Sequence, residues 1–275
     1  MTTPDAPLVL RHDDDRGVCT LTLNRPAAFN ALSEEMLTAL QSELDNLSKS
    51  QKLRVLVIAA SGKAFCAGHD LRQMRAEPSM DYYQKLFSQC GQMMMSIQKL
   101  QVPVIAKVQG IATAAGCQLV AQCDLAVASS EAKFAVSGVN LGLFCATPSV
   151  ALSRNVSRKA AFEMLVTGDF LSAQDALKQG LINQIASPEQ LDACLETLLV
   201  KILSKPQVAL AMGKELFYMQ LETGIEKAYE YASQTMACNM MDNSALEGVQ
   251  AFIEKRKPDW SATCLLYTSP SPRDS

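Results

Sequence analysis

The sequence predicts an α/β core followed by a helical C-terminal region. Three observations carry that class. Apolar, β-branched runs of strand length (Val18 to Asn24, Arg54 to Ala60, Val102 to Val108) alternate with stretches whose apolar residues recur every three or four positions. Beyond Pro188 the pattern is helical nearly to Arg256. The 275 residues are 48% hydrophobic and 19% charged, which is ordinary for a globular chain and enough to bury a large core.

The elements follow in order. Val18 to Asn24 reads as a strand that Arg25-Pro26 breaks, because proline has no N–H to donate. Ser33 suits a helix N-cap, and Glu34 and Glu35 suit the positive end of the helix dipole. Met36, Leu37, Leu40, Leu44 and Leu47 then fall on one helical face. Arg54 to Ala60 is a continuous apolar run, as in a strand buried on both faces. Asp81 to Leu100 reads as a second helix on Tyr82, Leu86, Met93, Ile97 and Leu100, with the run Met93 to Met95 as core filler. Pro103 opens the next strand, a helix starts near Gly116, and Asp124 to Ala128 is a strand. Ser172-x-x-Asp175 resembles a capping box for a helix that ends at Gly180. Leu181 to Ile185 is a short strand, and Pro206 and Gly224 interrupt the C-terminal helices.

These boundaries give a core over 8–205 and a helical region over 206–260. After Trp260 the composition turns abruptly to SATCLLYTSPSPRDS, with no helical period and two Ser-Pro steps. Residues 261–275 resemble translated cloning sequence and are expected to be a non-native tail.

Composition excludes several classes. A net charge of -3 leaves no basic footprint for nucleic acid. No apolar run is long enough to span a bilayer. The nine cysteines form no CxxC pair and are odd in number, so reduced thiols acting as small hydrophobes are expected, with no metal site. Met1 to Pro7 has neither a signal-peptide apolar stretch nor an Arg-rich presequence.

Two segments carry the chemistry: Ser61 to Met74 (SGKAFCAGHDLRQM) and Lys107 to Asp124 (KVQGIATAAGCQLVAQCD). Both resemble the crotonase superfamily, the enoyl-CoA hydratase and isomerase family, and the match runs from about Val18 to Trp260. The resemblance implies a ββα superhelix whose C-terminal helices pack between subunits of a homotrimer or homohexamer. It implies an acyl-CoA thioester as substrate or ligand, no other cofactor, and a part in fatty-acid metabolism. The compartment it implies is the mitochondrial matrix in a eukaryote and the cytoplasm otherwise.

A CoA thioester reacts through an enolate-like state, and fixed backbone N–H donors aimed at its oxygen stabilise that charge. The resemblance assigns one donor to His69, within Ala67-Gly68-His69-Asp70, and the other to Ala115, at the start of a helix. Ala115 departs from the family's usual glycine, which raises the question whether the turn needs a positive φ there. On the nucleotide side the resemblance places Arg25 and Ala28 of the loop Asn24 to Leu32, together with Ala67, Gly68, Asp70, Leu71 and Arg72. Arg72 falls where relatives set a cation near the CoA phosphates.

Hydratases of the family use two glutamates. The matching positions here are Gln118 and Gly138. Glutamine cannot exchange a proton at neutral pH, and glycine has no side chain. Ser137 and Asn140 nearby are polar but not basic, Glu131 is expected to face solvent, and Asp124 to be structural. Each positioned acid or base contributes about 10²–10⁴ in rate, so hydration should fall by roughly 10⁴ or more. The expected function is acyl-CoA binding with weak or no hydratase activity. The competing readings are decarboxylation of an acyl-CoA, with His69 the one candidate to hold the substrate carboxylate; a conventional hydratase or isomerase using an acid from elsewhere; and a purely structural subunit.

Overall fold

The structure is a computed structural model and describes residues 6–76 and 78–260. The tail expected at 261–275 lies outside the described residues. The chain divides into two compact units, one ending at Ile202 and one starting at Leu203.

The first unit opens with a hairpin of β1 (Val9–Asp13) and β2 (Val18–Leu23), paired antiparallel from Val9↔Leu23 to Asp13↔Cys19. The Asp14 carboxylate shapes its turn by accepting from the amides of Arg16 and Val18, both at 2.9 Å. The sequence reading missed β1, because Val9 is its one buried residue and no alternation results. Helix α1 (Glu34–Leu47) is capped as expected, with the Ser33 hydroxyl accepting from Met36 N at 3.3 Å. The five apolar positions read from its sequence are its five buried residues.

A spiral follows. Its first turn holds β3 (Val55–Ala60), β4 (Ala64–Cys66), the short α2 (Leu71–Ala76) and α3 (Met80–Lys99). The second holds β5 (Val104–Val108), β6 (Ile111–Thr113) and α4 (Ala115–Gln122). The third opens with β7 (Leu125–Ser129) and β8 (Lys133–Ala135). Each turn gives one strand to each of two sheets. Strands β3, β5 and β7 run parallel in the larger sheet, and β4, β6 and β8 run parallel in the smaller one. Helices α5 (Ala146–Asn155), α6 (Arg158–Thr167) and α7 (Ala173–Gln179) come next in this unit. Strand β9 (Leu171–Ser172) closes the smaller sheet against β8, and β10 (Gln184–Ala186) closes the larger one against β7. Ser172 and Gly180 bracket α7 as the sequence predicts, with the hydroxyl on Asp175 N and Gly180 in the left-handed region. The simple strand–helix alternation read from periodicity is therefore a ββα spiral.

Core packing follows the sequence with one correction. Met93 and Met94 are buried, but Met95 is 47% exposed, since three consecutive helical residues cannot share one face. Asp124 is structural: its carboxylate accepts from Val104 N at 2.6 Å, joining the starts of two strands. Each of the eight described cysteines is a free thiol, and six are buried. No helix among the described residues is long and apolar enough to cross a membrane.

Helix α8 (Leu191–Leu203) leads into the second unit. That unit holds α9 (Gln207–Leu221), α10 (Ile225–Met240) and α11 (Asn243–Ile253). Breaks fall at Pro206 and Gly224 as predicted. A third break falls at Asp242, whose carboxylate caps α11 by accepting from Ser244 N at 2.8 Å.

Candidate functional site

The two amides expected to hold a thioester oxygen come from successive turns of the spiral. The first follows β4. Leu32 donates its N–H to Gly68 O at 2.8 Å and accepts from Asp70 N at 3.4 Å, so this bridge turns the backbone N–H and C=O of His69 away from Leu32. The second is at Ala115, the first residue of α4, whose N–H has no carbonyl four residues back to bond. Register brings the segments together. A β-carbon added to Gly68 would lie 3.2 Å from Ala115 N, and one added to Gly116 would lie 2.1 Å from Cys66 O. The start of α4 is thus pressed against the end of β4, and only glycine fits at either contact. Ala115 adds its unpaired N–H at a helix N-terminus, where negative charge is favoured.

The strained residue is Ala114, not Ala115. Ala114 caps α4 with φ 50 and ψ -122, a region that residues with a β-carbon rarely enter, while Ala115 is itself helical.

The His69 imidazole is neutral. Burial pushes its pKa down, and the Leu32 carbonyl opposes that only in part. Nδ1 lies 3.3 Å from Leu32 O. A carbonyl only accepts, so Nδ1 carries the proton and Nε2 a lone pair. Nε2 is buried with no partner among the described residues. The ring meets Phe87 of α3 edge-on at 5.4 Å. A neutral ring supplies no charge to hold a substrate carboxylate.

Neither position of the two expected glutamates holds an acid. Gln118 is buried, one helical turn beyond Ala115, and its Oε1 has no partner among the described residues. Gly138 is buried in the 3₁₀ turn Ser137–Leu141. A β-carbon there would lie 2.5 Å from Leu143 O and 2.7 Å from the Cys145 thiol. Space where a glutamate would begin is therefore filled by main chain and sulfur. Burial raises the Cys145 pKa, so the group is a neutral thiol. The hydroxyl of Ser137, next to Gly138 in sequence, bonds that of Thr113 at the end of β6 at 2.8 Å. Glu131 is exposed, and Asn140 donates to Gly168 O at 3.4 Å.

At the positions expected to face the nucleotide, Ala67 N donates to Phe29 O at 3.0 Å, fastening the loop that carries Arg25 and Ala28 to the turn that carries Gly68, Asp70, Leu71 and Arg72. These seven sequence-predicted residues form one patch. Asp70 is turned inward: Oδ2 takes Arg25 Nη1 at 2.7 Å, and Oδ1 takes the amides of Arg72 and Gln73, capping α2. Burial alone would raise the Asp70 pKa, but Arg25 and the two amides outweigh it and hold the carboxyl below its ordinary range. Arg25 is thereby partly neutralised. Arg72 is exposed and makes no ion pair among the described residues, so its charge is available to an anion. Leu71 is 53% exposed beside it.

Sequence reasoning missed Asn30. This fully buried residue has φ 54, accepts from Arg25 N at 2.8 Å, and donates to the carbonyls of Ser61 and Ala64 at 2.9 Å. Its signal was present, since asparagine tolerates the left-handed region and satisfies backbone groups in tight loops. Cys145 carried no signal, because its role depends on a chain reversal between Gly138 and Cys145.

The known proteins agree with this geometry. A sequence model of the family described as enoyl-CoA hydratase/isomerase matches residues 13–263. A mouse protein named enoyl-CoA hydratase domain-containing protein 3, mitochondrial, is 46% identical over 245 residues, covering 89% of this chain and 82% of its own. The crystal structure of the human protein of that name has 43% identity and a TM-score of 0.88, covering 92% of this chain and 100% of its own. That of an enoyl-CoA hydratase from Mycobacterium smegmatis has 64% identity and a TM-score of 0.92, covering 93% of this chain and 99% of its own. Fold and sequence agree over nearly the whole described chain, which belongs to the enoyl-CoA hydratase/isomerase family, the crotonase superfamily.

Proposed function

We propose that this chain binds acyl-CoA thioesters between the amides of His69 and Ala115, and hydrates enoyl-CoA slowly or not at all. The observation that carries the proposal is the wall at Gly138, where Leu143 O and the Cys145 thiol lie 2.5 and 2.7 Å from any added β-carbon. With Gln118 at the other acid position, water meets no carboxylate that could deprotonate it. Charge stabilisation by the two amides does not depend on those acids. Arg72, with Arg25 in a supporting place, suits the CoA phosphates. A homotrimer or homohexamer is proposed with it, supported by exposed apolar side chains on the second unit such as Tyr229, Met241 and Phe252. The proposed setting is fatty-acid metabolism, in the mitochondrial matrix or, in a bacterium, the cytoplasm; support comes from relatives named mitochondrial.

The test is a mass-spectrometric time course with crotonyl-CoA and methylmalonyl-CoA, alongside calorimetric binding of the same thioesters. Binding without turnover is expected. Gain of water on crotonyl-CoA at enzyme-like rates would refute the proposal, and loss of CO₂ from methylmalonyl-CoA would replace it with decarboxylation.

A further inference from the structure

We draw no further inference here: the strongest candidate, the groove between α1, α3, α4 and α5 lined by the buried Gln118, whose Oε1 has no partner among the described residues, belongs through Gln118 to the site already described.

Discussion

The β-carbon of Ala114 lies 2.8 Å from where a β-carbon on Gly68 would be, so one methyl group already fills the space between the two turns that carry the candidate amides. Gly68 also has φ +91. Gly68→Ala should therefore lower stability by roughly 1–3 kcal/mol from backbone strain alone, with added cost from overpacking. Urea unfolding measures it, and CoA-thioester affinity should fall in parallel.

Ala114→Gly should act in the opposite direction, although the two residues touch. Relief of the strained backbone gives roughly 1–3 kcal/mol, and the freer unfolded chain of a glycine takes back about 0.4–1. A rise in the urea midpoint is expected, and a fall would mean that the strain at Ala114 is not stored energy.

Restoring the second acid should not restore hydration. Gly138→Glu drives its side chain into Leu143 O and the Cys145 thiol. Crotonyl-CoA hydration should stay at the wild-type level, alone or with Gln118→Glu, and the melting temperature should drop. Recovery of rate toward that of a hydratase would show that the 143–145 segment yields easily.

The pair Arg25–Asp70 makes stability depend on pH. The carboxyl pKa is depressed in the fold, so its contribution is complete above the unfolded carboxylate value and is lost as pH falls through the folded one. Asp70→Asn should cost about 1–2 kcal/mol at pH 7, because the pair is partly exposed. The difference from wild type should shrink on acidification toward pH 3. Stability curves for both proteins across that range decide it.

For His69, nitrogen NMR of the ring should show the proton on Nδ1 at pH 7 and a titration below the ordinary value of about 6.5. Between those two pKa values the unfolded chain takes up a proton that the folded one refuses, so stability falls as pH drops through that window. An Nε2–H signal would contradict the bond to Leu32.

What the sequence disclosed follows from the range of each signal. The apolar face of α1, the cap at Ser33 and the Ser172–Gly180 helix are local patterns, and all three appear in the fold. Strands β4, β6 and β8 are three residues each, too short for any period, and the spiral was reached through the family resemblance alone. At the site, motif positions gave the residue identities. The strain at Ala114, the inward turn of Asp70 and the wall at Gly138 each depend on atoms far apart in sequence, which no local pattern encodes.

The contacts of Gly68 and Gly116 also bear on how such a protein could change over generations. The candidate carbonyl-binding amides belong to the main chain and are positioned by sheet register, so most exchanges of the side chain at either residue leave the N–H in place. Each proton-handling glutamate is an ordinary side chain, and a single-nucleotide change converts its codon to glutamine or glycine. A lineage can therefore shed its reaction and keep its ligand, and that order leads from a catalyst to a sensor of the same metabolite.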